Sequence, residues 1–154
     1  MHLKKLIERP NIAGNSNILG VYGQFAELLD ELEKRELPDE VTGFINQEIE
    51  KLNSVPDTAG NFVKTVRDTE TRVVRLVEKK CKVVPRNYYR KLWFVVGMSV
   101  FGVPIGVTLG TAVGNLGLLG IGLPIGMAIG LGVGTGLDRK ALKEGRQLNI
   151  ELKR

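Results

Sequence analysis

Two side chains could carry a nucleophile or a mobile proton near neutral pH: the single cysteine and the single histidine. Cys81 stands among Lys79, Lys80 and Lys82, whose positive charge favours a thiolate. The same position on a helix also suits a small packing residue, and that is the expectation here. His2 has no second histidine or nearby cysteine to work with, and a zinc centre needs about four suitably spaced ligands. Asp39, Glu40, Glu48 and Glu50 supply carboxylates, but at a spacing that reads as solvated helix surface rather than an acid–base pair. Glycine is abundant, yet neither G-x-x-x-x-G-K-[ST] nor G-x-G-x-x-G occurs. The expectation is a protein that is not an enzyme, with no metal and no cofactor.

The elements that would position any chemistry point elsewhere. Between Lys91 and Asp138 lie 46 residues without Asp, Glu, Lys, Arg or His, and 13 of the 19 glycines fall there. A helix needs about 20 apolar residues to cross a hydrocarbon core about 30 Å thick. Forty-six residues are therefore two crossings and a turn, with spans expected at 92–114 and 118–137 and the turn at 115–120. A buried hairpin of a water-soluble protein is disfavoured, because each interior glycine costs an aqueous helix about 1 kcal/mol relative to alanine, whereas membrane helices tolerate glycine and proline. Pro104 and Pro124 are read as static kinks. No intramembrane charge suggests a proton relay.

The flanks orient the spans. Arg86, Arg90 and Lys91 precede the first, while Arg139, Lys140, Lys143 and Arg146 follow the second, and the turn is uncharged. Basic residues on the two outer flanks predict that both termini face the cytoplasm. Tyr88, Tyr89 and Trp93 fall where an interfacial aromatic belt belongs. The opening residues lack the apolar core of a secretory signal peptide, so insertion is expected to rely on the hairpin.

Within the spans the glycines form two ladders. Gly102, Gly106, Gly110 and Gly114 recur every four residues, and so do Gly122, Gly126, Gly130 and Gly134. Residues four apart are neighbours on a helix face. The segments starting at Gly102 and Gly122 match at seven of 13 aligned positions. Stacked glycines let backbones approach where lipid gives no hydrophobic drive. One ladder can pair with the other inside a hairpin, or both can serve neighbouring chains; the second use is the expectation, so these eight glycines are predicted to pack a homo-oligomer. At these residues the chain resembles the glycine-zipper class of bacterial two-span membrane proteins. The ladder is also similar to the packing of some oligomeric channels and pore-forming toxins. The resemblance covers the last third of the chain and implies a packing device in the bacterial inner membrane, with no activity attached.

The first 91 residues read as an all-α head. Leu19, Tyr22, Ala26, Leu29 and Leu32 recur at helical spacing over 17–36, Val41, Phe44, Ile45, Ile49 and Leu52 after Pro38, and Phe62, Val66, Thr69, Val73, Leu76, Val77 and Val84 over 58–84. The first two helices are expected to form a hairpin against the third. Charge is lopsided, with −5 over 1–63, +7 over 64–91 and +3 over 138–154. Lys64, Arg67, Arg72, Arg75, Lys79, Lys82 and Arg86 share a wheel sector opposite the apolar stripe, suited to anionic headgroups or to the acidic first hairpin of another copy. No nucleic-acid motif accompanies this charge, so no nucleic acid is expected as partner.

The sequence therefore predicts an all-α protein: an amphipathic helical cytoplasmic head over 1–91, a transmembrane helical hairpin with glycine ladders over 92–137, and a basic cytoplasmic tail over 138–154 with local contacts at most. Its expected partners are the lipid bilayer, further copies of itself and a cytoplasmic protein bound by the head. The expected role is a non-catalytic membrane scaffold or anchor. The alternative is an oligomeric pore or channel of toxin or effector type, opposed by the scarcity of polar residues in the spans: Ser99, Thr108, Thr111, Asn115 and Thr135 make no continuous stripe.

Overall fold

Asn15 opens the first helix: its side-chain oxygen accepts the amides of Asn17 and Ile18, each at 3.2 Å, as an N-cap should. Helix α1 (Ser16–Glu33) then buries Val21, Tyr22, Phe25, Leu28, Leu29 and Leu32. The buried stripe is rotated from the expected one, toward Phe25 and Leu28, and Leu19 stays exposed. Helix α2 (Asp39–Ser54) follows Pro38 and carries Asp39 and Glu40 in its first turn, where carboxylates favour the helix dipole. It buries Val41, Ile45, Ile49 and Leu52. Helix α3 (Phe62–Cys81) buries Phe62, Val66, Val73, Val74 and Val77. It stops short of Val84 because Lys82 takes a left-handed conformation, φ 58°. The start expected at Thr58 lies outside the described residues, which in this computed structural model are 2–56, 60–115, 117 and 119–153.

These helices belong to one of two units into which the chain divides, Met1–Val84 together with Leu148–Arg154; the other is Pro85–Gln147. In the first unit α3 packs against both α1 and α2. The expected direct hairpin of α1 on α2 does not form, because an extended strap, residues 2–9, lies between them. The strap bonds α2 through Asn46 and Asn53 and faces Ala26 and Leu29 of α1.

The tail departs most from expectation. Leu148, Ile150 and Leu152 are buried, so the alternation of apolar and polar residues is real, but it serves the head. The Leu148 amide donates to the Val84 carbonyl at 2.8 Å. Farther along, the Asn149 amide donates to Glu31 at 2.9 Å, and the Lys153 amide to Gln24 at 2.7 Å. Three buried aliphatic side chains outweigh the entropy that frays an ordinary terminus. The division at 91 and 138 is accordingly replaced by one in which the hairpin interrupts the head.

Glu48 corrects a second expectation. It is not solvated surface but nearly fully buried, with Arg72 at 2.6 Å and Lys51 at 2.8 Å. Burial pushes its carboxyl up, and hydrogen bonds from Lys51 and Arg72 more than offset this, leaving it below the ordinary carboxylate range. A depressed folded pKa contributes stability that is present above the unfolded value, about 4.3, and is lost as pH falls through the folded one. The head is expected to lose stability on acidification below about pH 4.3, and Glu48→Gln to flatten that slope; urea midpoints between pH 6 and pH 3 read the difference. Arg72, through Glu48, shows that part of the basic stripe of α3 is engaged within the head, and Lys80, beside the stripe, pairs with Glu40 at 2.9 Å.

In the second unit a continuous helical rod comprises α4 (Tyr88–Val96), a π-turn (Gly97–Gly102) and α5 (Val103–Val113). It is followed by α6 (Leu119–Lys143). The first rod begins four residues before the expected Leu92, and α6 runs six beyond Leu137; the expected start at Leu118 lies outside the described residues. Gly114 and Gly145, both at φ 68°, end the two helices. Each supports a closure in which the next amide reaches back five residues, Asn115 to Gly110 at 3.0 Å and Arg146 to Ala141 at 2.9 Å. Among the described residues the fold is all-α, with two helices, Tyr88–Val113 and Gly120–Lys143, long and apolar enough to cross a membrane.

Candidate functional site

The candidate site is the seam between the two long helices. Gly97, Gly102, Gly106 and Gly110 of the first are buried, and so are Gly122, Gly126, Gly130 and Gly134 of the second. A methyl group placed on Gly97 would stand 2.7 Å from the Cα of Gly130, on Gly126 2.5 Å from that of Gly102, and on Gly122 2.6 Å from that of Gly106. On Gly134 it would meet the Cα of Arg90 at 2.6 Å. The obstacles are backbone, which cannot swing away as a side-chain end would. Glycine is therefore required at these positions by close approach, and the approach is within one chain.

Gly110 is buried, and six of the eight predicted ladder residues, Gly102, Gly106, Gly122, Gly126, Gly130 and Gly134, meet the partner helix of their own hairpin. Gly114 does not; it is exposed and left-handed, closing α5 rather than packing it. Its place in the seam is taken at the other end by Gly97, which sequence spacing missed. Gly97 and Gly102 are five apart, out of step with a four-residue ladder, and the π-turn absorbs the extra residue. The Val103 amide bonds the Met98 carbonyl, Pro104 follows with no amide to give, and the Ser99 hydroxyl donates to the Val95 carbonyl at 2.9 Å. A glycine displaced by one residue from the ladder, seven before a proline, was the available signal.

The ladder of the second helix ends in a carboxylate. Asp138 lies four residues beyond Gly134 and is buried. Its two oxygens accept the amides of Tyr89 at 3.1 Å and Arg90 at 2.9 Å. Asn87, the residue preceding α4, caps nothing with its own side chain. Asp138 therefore caps α4 from the opposite helix, satisfying two first-turn amides and meeting the positive end of the dipole. In the sequence it marked only the end of the charge-free stretch. Asp138→Ala is expected to destabilise the hairpin by about 1–2 kcal/mol, seen as earlier unfolding in a detergent titration. Asp138→Asn, which keeps an acceptor, is expected to lose less.

The predicted interface residues gather at this end. Arg86, Arg90, Lys91, Arg139 and Lys140 are exposed, while Tyr88, Tyr89 and Trp93 are half-buried. The Tyr88 and Tyr89 rings meet edge to face, 5.3 Å between centroids. The backbone of Trp93 supports the seam against Gly130. Arg146 bonds both Glu144 and Tyr89, which raises its pKa above the ordinary value. No family model, curated protein or solved structure matches the chain.

The outward faces are aliphatic. Val95, Val100, Phe101, Val103, Val107 and Val113 are exposed on the first helix, and Ile121, Leu123, Ile125, Ile129 and Val133 on the second. The polar side chains among them are turned inward in a chemical sense. Thr108 donates to the Pro104 carbonyl and Thr111 to that of Val107, each at 2.9 Å. Of the two apolar stretches only 17% and 22% is buried within the chain. Cys81, outside this unit, is half-buried, and burial pushes its thiol up, which favours packing over nucleophilic chemistry. Among the described residues no group of His, Cys, Asp and Glu is arranged to hold a metal.

Proposed function

We propose that the chain is a non-catalytic integral membrane protein whose hairpin anchors a helical head, with both ends of the hairpin on the cytoplasmic side of a bacterial inner membrane. The observation carrying this reading is the division of the hairpin into a glycine seam facing inward and an aliphatic surface facing outward, with basic residues at one end only. Lipid supplies no hydrophobic drive between helices, so tight backbone packing holds the pair together. Basic flanks keep their end cytoplasmic. The head acts as a scaffold for a cytoplasmic protein.

The ladder is read as the lock of a single hairpin. A homo-oligomer would have to use another face, such as the open small-residue row at Gly120, Ala128, Gly132 and Gly136. The pore reading has less support, since the hydroxyls of Ser99, Thr108 and Thr111 are spent on their own helix. Two cysteine variants test the anchor in membrane vesicles. Lys153→Cys is expected to react with an impermeant maleimide only from the cytoplasmic side, and Asn115→Cys only from the other. Release of the protein by alkaline carbonate would overturn insertion, and ion flux through liposomes holding purified protein would restore the pore.

A further inference from the structure

The strap is held in part through its own backbone. The Asn46 side chain accepts the Lys4 amide at 2.7 Å and donates to the His2 carbonyl at 3.1 Å. Seven residues on, Asn53 repeats the contact: it accepts the Ile7 amide at 3.1 Å and donates to the Lys5 carbonyl at 3.3 Å. Seven helical residues rise about 10 Å, and three extended residues advance about 10 Å. Two carboxamides on one helix face are thus in register with an extended backbone and read it twice.

Side chains add a pattern. Leu3 and Leu6 are half-buried, three apart. Arg9, three further, lays its guanidinium 4.8 Å from the Phe62 ring centre and 5.7 Å from that of Tyr22. It also donates to the carbonyls of Leu52 and Asn53, at 3.0 and 3.3 Å, at the end of α2. Acidic residues rim the groove: Glu50 pairs with Lys4, while Asp30 and Glu33 stand on the α1 side. On that side the strap leaves a cavity of about 240 Å³ open. The strap is fastened along α2 and loosely covered along α1.

We propose that the groove between α1 and α2 is a binding site for an extended, basic segment of a partner protein with the pattern Leu-x-x-Leu-x-x-Arg, and that residues 2–9 are its intramolecular occupant. The partner enters by displacing the strap, and its apparent affinity is reduced by the fraction of time the strap is in place. This names the recruiting surface of the head and rests on the scaffold reading. A titration in detergent reads the groove whether or not the hairpin anchors the chain, so each can fail without the other.

The probe is a fluorescent peptide, His-Leu-Lys-Lys-Leu-Ile-Glu-Arg-Pro, added to the full-length protein in detergent micelles. Arg9→Ala, which unfastens the strap, is expected to bind it about tenfold more tightly than the unaltered protein does. Methylating the peptide's backbone nitrogens at the positions matching Lys4 and Ile7 is expected to abolish binding, because both amides are read by asparagine. Leu6→Ala carries the same expectation and serves if Arg9→Ala loses helicity. Absence of binding to a folded strap variant, or equal binding of the methylated peptide, would overturn the proposal. So would dimerisation of the strap variants by exchange of residues 2–9, since a second copy would then be the occupant.

Discussion

Gly126→Leu is expected to separate the two long helices within a single molecule. The new side chain would enter a space where a methyl group already meets the Cα of Gly102 at 2.5 Å, with no flexible atom to displace. Overpacking of a close core costs about 1–3 kcal/mol, and a backbone-to-backbone contact stands at the upper end of that range. Gly132→Leu supplies the contrast, because nothing lies within 4 Å of the space its Cβ would occupy. In a detergent unfolding titration Gly126→Leu is expected to lose about 3 kcal/mol and Gly132→Leu less than about 0.5 kcal/mol. Leucine is the better membrane residue at both sites, so insertion is expected to survive. Equal tolerance of the two changes would sink the intramolecular seam. Dissociation of a multimer by Gly132→Leu alone would assign assembly to the outer row.

The periodicities in the sequence announced most of this architecture, and the errors have physical causes. Apolar stripes located α1 to α3 because burial against α3 is what those helices need. The stripe of α1 was misplaced because Leu19 and Phe25 both fit a helical period, and only tertiary contact decides which turns inward. The ladder glycines were legible as an interface but not as whose, since close approach looks the same in one chain or two. Gly97 was missed because a π-turn changes the local period. Asp138 was missed because a cap supplied from the far helix leaves no local signature, unlike Asn15 before α1. The strap was invisible for a related reason: Asn46 and Asn53 sit on a helix like any polar residues until something extended lies across them.

Leu148→Ala is expected to produce a large loss of stability in the head. Leu148 is 2% exposed and belongs to the same unit as the three helices of the head, bonded through its amide to Val84. Truncating a buried leucine to alanine costs about 3 kcal/mol through lost transfer energy and the cavity left behind. Amide hydrogen exchange in α1 and α3 is expected to quicken by about a hundredfold, if those helices open with the head as a unit. Lys153→Ala, whose side chain is exposed while its backbone bonds Gln24, is expected to change little. Unaltered exchange in Leu148→Ala would mean that residues 148–153 are an ornament on the head and not part of its core.

The bond from Leu148 to Val84 also fixes an order of events during synthesis. The 63 residues of Pro85–Gln147 emerge before the last pieces of the head core, Leu148, Ile150 and Leu152. Joining two points separated by a flexible loop of that length costs about 3–4 kcal/mol in entropy. A formed hairpin removes most of that cost, because Asp138 against Tyr89 and Arg146 against Tyr89 hold its two ends side by side. A ribosome making this chain therefore releases a head that stays open along one edge until the hairpin has formed. Molecules in which the hairpin fails to form keep that edge bare, and a protease would find them by it.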